Sequence, residues 1–142
     1  MKSISFESPL LPVIDSNSFE LLRVNDLSVS IAGTQIIDSV SFSLARDEIL
    51  GVVGANGSGK TTLIKTIAGL IKSDSGAISV ERVDVSNLSH SDRGRIISYM
   101  PQQVESHPFT VFETVLMGRY PYLGRLQLEG TADREIAWSV MR

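Results

Sequence analysis

The sequence predicts an α/β fold on three observations: two nearly alternating apolar segments near the start, one segment apolar on both faces, and a glycine-rich junction feeding a helical pattern. The stretch FELLRVNDLSVSI from Phe19 places Leu22, Val24, Leu27, Val29 and Ile31 at near-alternate positions, and QIIDSVSFSL does the same with Val40, Phe42 and Leu44. These read as two antiparallel strands, because the intervening AGT contains Gly33, which can adopt the positive φ of a tight hairpin turn. EILGVVG, from Glu48, has no polar face, the pattern of a parallel-sheet strand covered on both sides, and is expected at the centre of a sheet. Gly59 to Leu70 sets Leu63, Ile67 and Leu70 on one helical stripe, and the weak helix formers SDSG stop it.

Further along, GAISVERVDV predicts a strand pair or meander, SHSDRGR a short helix or turn, and RIISYM another strand ending at Pro101. Thr110 followed by Glu113 three residues later is a capping-box pattern, so a helix is expected from Val111 to about Met117. A last helix is expected over Ala132 to Met141, with Asp133 and Glu135 favourable near its N-terminal dipole.

A chain of 142 residues matches one domain. Thirteen Lys and Arg against 16 Asp and Glu give a net charge of −3, so nothing in the balance suggests a nucleic-acid or anionic-membrane partner. The absence of cysteine excludes disulfides and thiolate metal sites. Residues 1–18 read as a loose leader, because Glu7, Pro9, Pro12 and Asp15 break any signal-peptide core. The longest apolar run, ILGVVGA, falls short of the ~18 residues of a membrane span, so the expectation is a soluble chain that meets membranes through a partner.

The junction GANGSGKTT, Gly54 to Thr62, fits G-x-x-x-x-G-K-[ST] through Gly54, Gly59, Lys60 and Thr61. Its chemistry is phosphate capture. Glycines at 54, 57 and 59 let successive N–H groups of Gly54, Ala55, Asn56, Gly57, Ser58 and Gly59 curl inward as an anion nest at a helix N-terminus. Lys60 reaches the β- and γ-phosphates, Thr61 offers its hydroxyl to the bridging magnesium, and Thr62 completes the cradle. The loop alone leaves the reaction open. A GTPase needs Asn-Lys-x-Asp, and none of Asn17, Asn25, Asn56 or Asn87 precedes a lysine. A small-molecule kinase places its loop near the N-terminus, whereas a hairpin precedes this one.

LSVSIAGTQIIDSVSFSL, then GVVGANGSGKTTLIKTIAGLIKSDSGAISV, then ISYMPQQ resemble, in order and spacing, the nucleotide-binding domain of ABC transporters from about Phe19 to the C-terminus. The resemblance implies an ABC-type P-loop NTPase core with an N-terminal antiparallel β element and the start of a helical subdomain, an incomplete domain over 19–142. It implies ATP and Mg2+ as ligands, and catalytic roles for Lys60 and for Gln102. In this family the Q-loop glutamine, which Gln102 matches, contacts the magnesium and the attacking water, and its loop moves with the membrane subunits. Ile31 stands where the family carries an aromatic that stacks on adenine; it offers apolar contact without a π-face, and a plain strand role stays open. The family's LSGGQ signature, Walker B strand and switch histidine do not occur in these 142 residues, and His90 and His107 precede the region where a switch histidine belongs. The expectation is therefore the N-terminal part of a nucleotide-binding domain, as a fragment, truncated reading frame or split protein, inactive by itself; a catalytically inactive nucleotide-binding fragment or regulatory module is the alternative.

The segment TVFETVLMGRYPYLGRLQLEGTADREIAWSVMR resembles importers of iron-siderophores, haem and vitamin B12 through Thr110, Val111, Val115, Gly118, Arg119, Pro121 and Gly124. This implies a subunit at the cytoplasmic face of the membrane that dimerises with a second ATP-binding subunit and docks on integral-membrane permeases. The expectation is no nucleic-acid partner, and the resemblance implies no direct contact with the transported cargo. Arg119, Tyr120 and Tyr122 are candidate docking residues, with a solvated turn as the alternative.

Overall fold

The computed structural model describes residues 20–102, 108–124 and 126–142, which divide into two compact units between Asn87 and Leu88. The expected leader and His107 lie outside the described residues.

The first unit is built on a four-stranded antiparallel sheet. β1 (Glu20–Ile31) and β2 (Thr34–Ala45) form the expected hairpin, and β3 (Ser75–Val80) and β4 (Val83–Asp84) extend it in the order β2-β1-β3-β4. Ala32 and Gly33 both take positive φ, 49° and 77°, as a two-residue turn compatible with strand twist requires. Val24, Leu27 and Val29 are fully buried although Val24 and Leu27 differ in parity. The register resolves this: it slips between Val24 and Leu27, so an irregularity returns Leu27 to the core face. Serines close the irregular positions. The Asp26 N–H donates to Ser41 Oγ at 2.8 Å, and the Ser39 N–H donates to Ser28 Oγ at 3.0 Å, so neither amide is orphaned where the ladder breaks.

α1 (Lys60–Ile67) lies within this unit and buries Leu63 and Thr66, the Thr66 hydroxyl donating to the Thr62 carbonyl at 2.8 Å. The expected stripe is only partly used: Leu63 is core, Ile67 is half-buried and Leu70, past the helix end, is exposed.

Two expected strands are absent among the described residues. Residues 48–55 run without sheet hydrogen bonds, with Ile49 99% and Val53 84% exposed. RIISYM enters the structure as the end of a helix followed by irregular chain. The reason is the same in both. A parallel-sheet strand exists only as a rung between neighbours, and none of the four observed strands pairs with either segment.

The second unit is helical, with α2 (His90–Ile96), α3 (Val111–Met117) and α4 (Thr131–Val140). Ser89 caps α2, its Oγ accepting from the Asp92 N–H at 3.1 Å. The expected capping box on α3 is present: the Glu113 carboxylate accepts from the Thr110 N–H at 2.7 Å, and Thr110 Oγ1 accepts from the Glu113 N–H at 3.2 Å. α3 and α4 meet through stacked Phe112 and Trp138, ring centroids 4.7 Å apart, beside buried Leu116 and Ala137. Arg119 Nε donates to Asp133 Oδ1 at 2.9 Å, and the guanidinium lies 4.3 Å from the Tyr122 ring centroid. Arg119, a candidate docking residue, is thus engaged within this unit, while Tyr120 and Tyr122 remain exposed.

Glu113 and Asp133 are both held below the ordinary carboxylate range. For Glu113 the main cause is the Thr110 backbone N–H; for Asp133 it is the Gly130 N–H, followed by Arg119. A lowered folded-state pKa contributes stability that is present above the unfolded value of about 4 and is lost as pH falls through the depressed value. Far-ultraviolet circular dichroism during acidification should therefore show helicity loss beginning near the ordinary carboxylate range and completing below it. The pair Glu113→Gln and Asp133→Asn should flatten that acid limb, because neither replacement titrates.

Candidate phosphate-binding site

The loop from Gly54 to Gly59 curls tightly enough for its own backbone to hold a cation. Lys60 Nζ donates to the Gly54 carbonyl at 2.8 Å, to the Ala55 carbonyl at 2.7 Å and, at 3.5 Å, to Ser58 Oγ. The Ala55 carbonyl also accepts the Ser58 N–H at 3.2 Å, closing the turn over exposed Asn56 and Gly57. The lysine ammonium is therefore folded back over the loop rather than extended into solvent. Its partners are neutral dipoles, so its charge remains uncompensated and available to an anion.

Gly59 links loop to helix at φ 89°, ψ 0°, a left-handed conformation that a side chain rarely adopts. The first intrahelical bond runs from the Leu63 N–H to the Gly59 carbonyl at 2.8 Å. The amides of Lys60, Thr61 and Thr62 consequently have no intrahelical acceptor, and they sit at the positive end of the α1 dipole. Thr61 is exposed in this first turn. An anion at the mouth of the loop would meet free amides, a helix N-terminus and an ammonium together, the chemistry of a phosphate cradle. An exposed hydroxyl beside bound phosphates also fits magnesium, which favours oxygen ligands and keeps several waters.

The structure brings Gly54, Ala55, Asn56, Gly57, Ser58, Gly59, Lys60, Thr61 and Thr62 into one continuous site in the first unit. Ile31 belongs to the same unit, at the last position of β1 beside the hairpin turn, and is 45% exposed. Gln102 is exposed in the irregular stretch of the second unit. His90 is the exposed first residue of α2. Sequence reasoning missed the contact of Ser58 with the ammonium and the part played by β2, where Ile36 and Ile37 both abut Gly59. The doublet itself was the signal, since two consecutive isoleucines violate the alternation of a regular strand.

A cleft of about 260 Å³ lined by Glu20, Leu21, Arg46, Glu81 and Arg82 contains none of the loop residues. Arg46 is ion-paired with Glu81 there, and Glu20 with Arg23, so its charges are largely matched. No group of three His, Asp or Glu side chains converges on a metal position among the described residues. No helix among them is long and apolar enough to cross a membrane.

Residues 37–141 match the family described as ABC transporter. The cobalamin import ATP-binding protein of Halobacterium salinarum is 42% identical over 120 residues, 82% of this chain and 30% of that protein. The hemin import ATP-binding protein of Gloeobacter violaceus is 36% identical over 122 residues, 85% of this chain and 44% of its own length. The manganese transport system ATP-binding protein of Listeria innocua is 29% identical over 123 residues, 84% and 49%. A solved ATP-binding subunit of an ABC transporter superposes with a TM-score of 0.64 at 31% identity, covering 72% of this chain and 42% of that one. The chain thus spans less than half the length of each of these proteins.

Replacing Lys60 with Ala removes a charge-assisted contact worth about 1.5–3 kcal/mol, so affinity for a fluorescent ATP analogue should fall at least about tenfold. Unchanged affinity in that titration would remove Gly54–Thr62 as the site.

Proposed function

The chain belongs to the ABC transporter family, and on that footing we propose that it supplies the ATP-binding half-site of an importer's ATPase. The observation that carries this reading is the Lys60 ammonium held over the loop by the Gly54 and Ala55 carbonyls, beside the open amides of α1. In this reading the loop amides and Lys60 grip the β- and γ-phosphates. Thr61 contributes a magnesium ligand, and magnesium when bound neutralises phosphate charge. Ile31 gives apolar contact to the adenine, and Gln102 acts on the attacking water and the metal. ATP binding and hydrolysis would be coupled to uptake through integral-membrane permeases and a second ATP-binding subunit, at the cytoplasmic face.

The cargo reading is an iron-siderophore, haem or cobalamin. It rests on the segment from Thr110 to Gly124 and is supported by the names of the cobalamin and haem relatives; the manganese relative marks the alternative. ATP binding against ATP turnover separates an ATPase from a nucleotide-binding module without catalysis. The 142-residue chain alone is expected to bind ATP only weakly and not to turn it over, and phosphate release abolished by Lys60→Ala would overturn that expectation.

Ile31→Tyr should tighten ATP binding by roughly 0.5–1.5 kcal/mol through stacking of the ring on adenine. An unchanged affinity would place the base elsewhere. In a transporter assembly that hydrolyses ATP, Gln102→Ala should lower turnover more than nucleotide affinity, since a group acting on water and metal contributes mainly in the transition state. Equal losses in both would contradict the role.

A further inference from the structure

We propose that Ile36 and Ile37 are positioning residues for the phosphate loop, because a bulge in β2 turns both side chains onto Gly59 and so sets the angle at which the first amides of α1 meet an anion. The inference rests on Gly54–Thr62 being a phosphate site and adds what holds that site in shape. In the pairing of β1 with β2, Ser30 faces Gln35 and Val29 faces Ile37, which leaves Ile36 as the extra residue. In a regular strand two successive side chains point to opposite faces and do not converge on one atom. Here they do. A β-carbon added to Gly59 would lie 2.9 Å from Ile37 Cδ1, 3.2 Å from Ile36 Cγ2 and 3.2 Å from the Ile36 carbonyl oxygen.

The wall is fixed from behind. Ile37 is only 4% exposed and pairs with fully buried Val29, so it cannot retreat without disturbing the core. Gly59 is fixed from the other side as well, because buried Leu63 closes the first helical hydrogen bond onto its carbonyl. Gly59 is the last loop residue before Lys60 and Thr61. Rotation about it swings both amides and the lysine stem, and the isoleucines limit that rotation.

The test titrates the full 142-residue chain with inorganic tripolyphosphate, which lacks a base and so reports on the loop alone. Ile36→Ala and Ile37→Val are expected to weaken binding about three- to tenfold, the effect of weakening about one amide hydrogen bond to the anion. Val40→Ala removes apolar volume from the same strand away from the loop. It should lower the thermal midpoint yet leave affinity unchanged where all variants are folded. A double-mutant cycle gives a readout that stability alone does not move: Gly59→Ala should bind poorly, and adding Ile37→Val should recover part of that loss by removing Cδ1. If Ile36→Ala does not fold, Ile37→Val and the cycle decide. Wild-type affinity in folded Ile37→Val with no recovery in the cycle overturns the positioning role while leaving the phosphate site intact. Failure of the wild-type chain and of Lys60→Ala alike to bind tripolyphosphate retires the site and the inference together.

Discussion

The site depends on one close approach, the α-carbon of Gly59 against the bulged isoleucines of β2. An L-residue at φ 89° is strained in open space, and here a β-carbon would also sit tightly at 2.9 Å from Ile37 Cδ1 and 3.2 Å from the Ile36 carbonyl oxygen, so that these neighbours would have to shift. Glycine is thus favoured twice over, once by its own dihedral and once by its neighbours. Because that contact fixes where the loop ends, it also fixes where α1 begins, and with it the direction of the helix dipole and of the three open amides. Leu63 adds the hydrophobic half of the same arrangement: its burial holds the first turn of α1 in the unit whose strand supplies the wall.

Charge placement follows from this geometry. Arg23, Arg46, Arg95 and Arg119 are each matched to a carboxylate. Lys60 is matched to carbonyls and a hydroxyl instead, which orient the ammonium without cancelling it. A lysine held this way has already given up much of its rotamer freedom before any ligand arrives, so less entropy remains to be lost on binding. The loop is therefore organised toward an anion in the absence of one. The cleft lined by Glu20, Arg46, Glu81 and Arg82 is built differently, with two carboxylates among its guanidiniums and Arg46 ion-paired to Glu81.

Local features were the legible ones. The hairpin at Ala32–Gly33, the Thr110–Glu113 capping box and the Lys60 junction depend on residues two to six positions apart, and sequence spacing reports such relations directly. The Ile36–Ile37 doublet marked a break in alternation, but its convergence on Gly59 was not legible, because it joins residues over twenty positions apart through a bulge whose location depends on β1. Leu27 shows the same limit, since its burial out of step with Val24 is set by the register slip and not by alternation. The expected strands at EILGVVG and RIISYM failed for a related reason. Apolarity on both faces states what a segment would bury if flanked, and pairing partners decide whether it becomes a strand.

That failure separates the loop from the sheet. Residues 48–53 make no ladder, yet one residue later the loop from Gly54 is fully shaped, with Ser58 bonded to Ala55 and Lys60 to Gly54 and Ala55. The bonds that shape it span three to six residues, so closing them costs little chain entropy and requires no distant strand. The longer-range support comes from β2, part of an antiparallel hairpin that itself needs only a two-residue turn. The loop is thus anchored to the β1–β2 hairpin through Gly59 on one side and to its own carbonyls through Lys60 on the other. A loop supported in this way keeps its form whether or not the preceding apolar segment is clasped between neighbours, whereas the proposed hydrolysis, which needs groups from outside the loop, would not share that independence.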